Sequence, residues 1–236
     1  MKNFKVILIF IISIFVSNNF VKADTLNIYS HRQPYLLKPF IEDYSKKTGI
    51  KINVVYSSKG LAQRLSSEGK NTKADLILTV DIGRLHRYQD LGLLASIKSE
   101  ILEMKIPYYL RSKDNTWFGL SKRTRVIAVS KQRVELGAIT TFEDLAKPKW
   151  KGKVCSRPGS HVYNRALMSS IIAAHGENKA TKWAKGLVSN LAKKPQGNDR
   201  SQVKSIFSGE CDIVIINHYY FGKLTYSSNK EHRKWA

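Results

Sequence analysis

The stretch "GECDIVIINHYYFGKL", residues 209–224, sets Tyr219 and Tyr220 side by side directly after an apolar run. A free phenol stays protonated at neutral pH, with a pKa of ~10. A tyrosinate is a hard anionic oxygen ligand, and matching of hardness pairs it with a trivalent cation such as Fe³⁺ rather than with Zn²⁺ or Cu⁺. A trivalent charge stabilises the phenolate, so metal binding releases protons, and two or three phenolates cancel most of the metal charge. Neighbouring Arg and Lys would lower the phenol pKa and hold an accompanying anion. The pair alone is weak evidence. Tyrosine more often packs with its hydroxyl hydrogen-bonded, and Tyr108–Tyr109 is a second such pair in this chain.

The elements that must position these phenols follow from periodicity. "CDIVII" reads as a buried strand that delivers Tyr219 and Tyr220 to its carboxyl end. The first half alternates strand and helix patterns. "TLNIYS", "IKINVVYS" and "ADLILTV" read as strands, the last as one buried on both faces. Between them "YLLKPFIEDYSKKTG" has a helical stripe of Leu36, Leu37, Phe40, Ile41 and Tyr44, with Gly49 as its C-terminal stop, and "GLAQRLSSEGKN" is a short helix. "DIGRLHRYQDLGLL" opens with a capping Asp81. Such βαβα alternation predicts a mostly parallel sheet with covered faces. In such sheets ligands bind beyond the carboxyl ends of the strands. The segments "SHRQPY", "SSKG", "DIGR", "SRPGSHVYN" and "NHYYFGK" therefore stand out. In the middle, "WFGLSKRTRVIAVSK" reads as a long strand crossing between domains, and Thr141 with Asp144 caps a short helix stopped by Pro148. Three helices follow: one over "SHVYNRALMSSIIAAHG", one over "KATKWAKGLVSNLAKK", and one over "NDRSQVKSIFSGE" capped by Asn198 or Asp199.

Residues 1–23, "MKNFKVILIFIISIFVSNNFVKA", carry Lys2 and Lys5, an apolar run from Val6 to Val16 and small residues before a cleavage point. That is the pattern of a secretory signal peptide; the run is shorter than the ~20 residues a membrane span needs. Its removal predicts a soluble exported chain beginning near Asp24. The chain has 40 Lys+Arg against 18 Asp+Glu, a formal net charge of +22. The basic residues are scattered, with no basic block and no nucleic-acid-binding motif, so a nucleic-acid partner is not expected. Cys155 and Cys211 are the two cysteines, and an oxidising compartment favours their pairing over two buried thiols. No G-x-S-x-G elbow, phosphate loop or H-E-x-x-H is present, and "SRPGSH" lacks the context of a nucleophile, so no enzyme is expected.

In order and spacing, "NIYSHRQP", "LILTVDIGRL", "WFGLSKRTRVI", "TFEDLAKPKWKGKVC", "VYNRALMSSIIAAHG", "KKPQGNDR" and "GECDIVIINHYYFGKL" resemble the ferric-iron-binding periplasmic proteins of ABC importers. The resemblance covers about residues 26 to 225. It implies an α/β, two-lobed periplasmic-binding-protein (type 2-like) fold with crossing strands. The expected divisions are the signal peptide at 1–23, lobe 1 at 24–120, and a crossing strand with lobe 2 at 121–236. It implies Fe³⁺ ligands at Tyr163, Tyr219 and Tyr220. Arg32, with Arg123 or Arg125, would hold a carbonate or bicarbonate anion or tune the phenolates. A His-Tyr pair that some relatives place after the first-loop Arg is replaced here by Gln33 and Pro34, and His31 and Tyr35 do not match it. The implied partners are an ABC permease in the inner membrane and its ATPase, served by a periplasmic monomer whose lobes close by a hinge. Family chains run longer, so this chain reads as C-terminally truncated, lacking the segments that complete both lobes. Two other readings keep weight: the same fold holding an organic or phosphate anion without metal, and a non-functional truncated fragment.

The remaining polar residues have plainer readings. His86, His175 and His232 read as surface residues; His161 reads as a neighbour of the tyrosine site, and His218 as pointing away from at least one of the paired tyrosines by strand alternation. Asp81 reads as a helix cap, and Trp117, Trp150 and Trp183 as packing residues. Ser57-Ser58-Lys59-Gly60 reads as a plain loop before a short helix.

Overall fold

The computed structural model describes residues 25–236. The expected signal peptide lies outside the described residues. The chain divides into two compact units, the first ending at Val80 and the second running from Asp81 to Ala236. Residues 81–120, which the sequence pattern groups with lobe 1, fall by compactness in the second unit.

The first unit follows the predicted alternation: β1 (Thr25–Ser30), α1 (Pro34–Thr48), β2 (Lys51–Tyr56), α2 (Leu61–Glu68) and β3 (Leu76–Leu78). The three strands form a parallel sheet in the order β2-β1-β3. Pro34 starts α1 where a missing N–H costs nothing. Gly49 ends it at φ 73, a left-handed stop that a residue without Cβ adopts freely. The strand predicted over "ADLILTV" is only three residues long and Leu76 is exposed. It is an edge strand paired with β1 alone, and none of its three residues is fully buried, so it is not the strand covered on both faces that its apolar composition suggested. The stripe of α1 is likewise not buried: Phe40 and Tyr44 are exposed.

The second unit contains α3 (Ile82–Asp90), α4 (Glu100–Lys105), β4 (Arg125–Val129), β5 (Val154–Cys155), α5 (Val162–His175), α6 (Glu177–Ser189), α7 (Asp199–Phe207), β6 (Ile213–Asn217), α8 (His218–Thr225) and α9 (Lys230–Trp235). Its sheet order is β4-β6-β5, with β4 antiparallel and β5 parallel to the central β6. All five residues of β6 are buried. Alternation sends Ile213 and Ile215 to a core with Leu145, Trp150, Leu167, Ile171 and Trp183. It sends Val214 and Ile216 to a second core with Val203 and Leu224. A stretch filling two cores needs apolar residues on both faces, which Ile213–Ile216 supply before the polar Asn217, and each such side chain contributes about 1.5–3 kcal/mol.

The long crossing strand predicted from Trp117 is shorter than its sequence suggested: β4 begins at Arg125. Its partner β6 turns into a helix at His218, so beyond the Arg125–Asn217 register only Thr124 is still held, its carbonyl accepting the His218 N–H at 3.0 Å, and the ladder stops there. Asp144 and Thr141 form the predicted reciprocal cap, but on a 3-10 turn, Glu143–Ala146. Cys155 and Cys211 are bonded, tying β5 to the residues that lead into β6. Among the described residues no helix is long and apolar enough to cross a membrane.

Candidate functional site

β6 ends at the fully buried Asn217, and the next residue starts α8. Tyr219 and Tyr220 therefore stand in the first turn of a helix rather than on a strand end. Their rings lie 4.6 Å apart, tilted by 33°. Tyr163 occupies the first turn of another helix, α5. Its hydroxyl is 3.3 Å from that of Tyr219 although 56 residues separate them. Two helix N-termini thus bring phenols to one place, and the partial positive charge of each favours an anion there. Tyr163, Tyr219 and Tyr220 are all half-buried.

Arginines back this cluster. The guanidinium carbons of Arg123, Arg157 and Arg125 lie 4.4, 5.2 and 5.8 Å from the centre of the Tyr163 ring. Each is already paired. Arg123 meets Asp81, which also caps α3 by accepting from the Gly83 N–H at 3.0 Å. Arg125 and Arg157 share Asp199, at 2.6 and 2.5 Å. Asp199 is fully buried, and its carboxylate also accepts the Asn217 N–H at 3.0 Å. Asn164, one residue after Tyr163, accepts from Arg125 at 2.7 Å and donates to the Arg157 carbonyl at 2.9 Å, so it fixes the loop before α5.

Without metal Tyr163 and Tyr220 are protonated at neutral pH. Burial, reinforced by the Tyr219 hydroxyl, pushes the Tyr163 pKa up to about 12, although Arg123 acts in the opposite sense. Burial and the neighbouring Tyr219 and Tyr163 also raise Tyr220. Arginines were expected to lower the phenol pKa; burial outweighs Arg123 at Tyr163, with the Tyr219 phenol and then Asp199 adding to the rise. Burial, then Arg157, lowers His161 to about 4, so this residue is neutral. Its Nδ1 accepts the Tyr163 N–H at 3.2 Å.

The other expectations sort readily. Arg32 belongs to the first unit, where it is exposed in the loop after β1 and donates its N–H to the Ser30 hydroxyl at 2.9 Å. His218 is helical, so strand alternation does not govern it; its Nδ1 accepts the Thr124 N–H at 3.1 Å. Tyr108 and Tyr109, the second tyrosine pair, are exposed and pack edge to face. Trp150 and Trp183 are core residues as expected. Among the described residues no three His, Cys, Asp or Glu side chains cluster to hold a metal, so the available donor set is phenolic. Arg157, Asp199, Asn164 and Asn217 were missed. Arg157 and Asn164 flank Tyr163 within "SRPGSHVYN", the one local signal that pointed toward them.

The profile of the bacterial extracellular solute-binding protein family matches residues 71–232. Iron uptake protein A1 of Synechocystis sp. is 43% identical over 205 residues, 86% of this chain and 57% of that protein. Iron uptake protein A2 of the same organism is 38% identical over 208 residues, 88% of this chain and 59% of that one. The chain thus spans less than two thirds of the length of these curated relatives. Apo ferric ion-binding protein A from Pasteurella haemolytica superposes with a TM-score of 0.84 at 44% identity, over 90% of this chain and 67% of that one. Trichodesmium IdiA (FutA), solved with iron and citrate ligands, gives 0.84 at 43%, over 89% and 67%.

Proposed function

This chain belongs to the bacterial extracellular solute-binding proteins, a family of binding proteins rather than enzymes, and we propose that it captures Fe³⁺ in the periplasm and delivers it to an ABC permease in the inner membrane. The observation that carries this reading is the meeting of three phenols, Tyr163 with Tyr219 at 3.3 Å and Tyr219 with Tyr220 ring to ring, in front of three arginines. On this reading Tyr163, Tyr219 and Tyr220 ligate the metal as phenolates, and each releases a proton on binding. Three phenolates neutralise one ferric ion. Around them Arg123, Arg125 and Arg157 face Asp81 and Asp199, and the Lys223 ammonium lies 5.8 Å from the centre of the Tyr219 ring, so positive charge is in excess. That excess supports an anion such as bicarbonate accompanying the metal, with Arg123 and Arg125 as its basic residues. The names of the relatives, iron uptake and ferric ion-binding proteins, agree with this cargo. The signal peptide at 1–23, export to the periplasm, the lobes at 24–120 and 121–236 and a monomeric state complete the reading.

Titration of the purified chain with Fe³⁺ in the presence of bicarbonate tests it. Tyrosinate-to-iron charge transfer gives a strong visible band, expected to saturate at one metal per chain. A colourless chain that still melts cooperatively and takes up phosphate or a carboxylate would replace the ferric reading by an anion-binding one.

A further inference from the structure

Asn217 is used in an unusual way. It is the N-cap of α8, where an Asn side chain ordinarily accepts a hydrogen bond from the first helical turn, yet its side chain makes no such bond. The amide is turned instead into the buried network and is fully enclosed. On one side it contacts Arg125 Nη1 at 3.2 Å; on the other it contacts the Tyr219 hydroxyl oxygen at 3.2 Å. A guanidinium has donors only, so the atom facing Arg125 is the carbonyl Oδ1. The amide NH₂ then faces Tyr219, and it too can only donate. Arg125 is itself pinned by Asp199 at 2.6 Å, by Asn164 at 2.7 Å and by the Ile215 carbonyl at 3.2 Å. Asp199 closes the circuit by accepting the backbone N–H of Asn217. The chain Asp199, Arg125, Asn217 therefore fixes one N–H on one tyrosine oxygen.

We propose that Asn217 is a positioning residue for the ferric site, aiming this N–H at the Tyr219 oxygen so that the oxygen is held as an acceptor with its remaining lone pair presented to the metal. The proposal rests on the ferric reading above. An acceptor geometry suits a metal-bound phenolate, which has no proton to give, and disfavours any partner that would require Tyr219 to donate toward Asn217. The cap bond that α8 forgoes is the local cost of this arrangement.

The test compares the wild-type chain with Asn217→Asp, which keeps the shape but turns an acceptor toward Tyr219, and with Asn217→Ala. Ferric affinity is measured by competition with a chelator, the charge-transfer band by visible absorption and folding by circular dichroism. Loss of a hydrogen bond to a charged oxygen is expected to weaken ferric binding by about tenfold or more and to move the band to longer wavelength. A role confined to bracing Arg125 would change stability without moving the band. Folded variants with wild-type affinity and wild-type band overturn the proposal while leaving the ferric reading intact; a wild-type chain without any band overturns the ferric reading itself. A measurement that needs no variant covers the case of poor folding. In ¹⁵N-labelled wild-type chain, the Asn217 side-chain amide resonances are followed during titration with diamagnetic Ga³⁺. A shift of the proton facing Tyr219 is expected; resonances unmoved at saturation refute the contact.

Discussion

Replacing Asp199 by Asn breaks the carboxylate on which two buried arginines converge. Asp199 has no exposed side-chain surface, and Arg125 and Arg157 keep only 10% and 12% of theirs. The carboxylate accepts at 2.6 and 2.5 Å from these two and at 3.0 Å from the Asn217 N–H. Burial already holds the Arg125 pKa below its ordinary value with Asp199 in place. With Asn at 199 two guanidiniums stay buried with no counter-charge, and breaking such an arrangement costs about 3–5 kcal/mol. In a chain of 236 residues that lowers the melting temperature by about 6–20 °C. All four tryptophans, Trp117, Trp150, Trp183 and Trp235, stand in the second unit, so tryptophan fluorescence during urea or thermal unfolding reports that unit. Arg157→Met leaves a balanced Asp199–Arg125 pair and should cost less. The double variant should then be less damaged than the two single costs combined, by about 1 kcal/mol or more, since the residues share one network. An Asp199→Asn chain within about 1 kcal/mol of wild type, or strictly additive costs, would refute the reasoning.

Tyr163→Phe should leave the fold intact and lower ferric affinity by more than about a hundredfold, more than loss of a ligand's supporting residue usually costs; unchanged affinity in chelator competition removes Tyr163 from the ligand set. Ferric affinity should fall as pH falls, because each phenolate forms by releasing a proton: with three ligands the change approaches about a thousandfold per pH unit well below the phenol pKa, and a slope of one proton contradicts three phenolates. The folded pKa of His161, about 4, lies below its ordinary value of 6.5, so its contribution to stability is complete above pH ~6.5 and is lost as pH falls toward the folded value; His161→Gln should flatten stability against pH in that window in urea titrations. Gly186 lies in α6 where an added Cβ would come within 2.8 Å of the Ala146 Cβ and 2.9 Å of its carbonyl oxygen, so Gly186→Ala should destabilise by about 1–3 kcal/mol despite better helix propensity, a loss seen as a lower unfolding midpoint. Reducing Cys155–Cys211, which links residues 56 apart, should cost up to about 4 kcal/mol, measured by comparing unfolding with and without a thiol.

Local features of the chain were legible because their causes are local. The apolar run Ile213–Ile216 had to be a buried strand, Gly49 had to end α1, Asp81 had to cap α3, and Asn198 caps α7 with Ser201 as one of the two candidates named. Each depends on neighbours within about a turn, which sequence spacing encodes directly. The paired tyrosines were visible too, as was the even number of cysteines. Tertiary structure decided the rest. Where β4 begins was set by a partner that turns helical at His218, and that same turn put Tyr219 and Tyr220 on a helix. Asp199 read as a possible cap but serves two arginines, one 74 and one 42 residues away. Tyr163 and Tyr219 meet across 56 residues. Such long-range pairing of charged and polar groups depends on where buried elements stack, and no periodicity in the chain records it. The phenol pKa values show the same division. Residue types suggested that arginines would lower them, but burial and the neighbouring phenols, with a smaller push from Asp199, raise Tyr163 and Tyr220 instead. Desolvation is a property of the packed surroundings, so it appears only once the elements are in place.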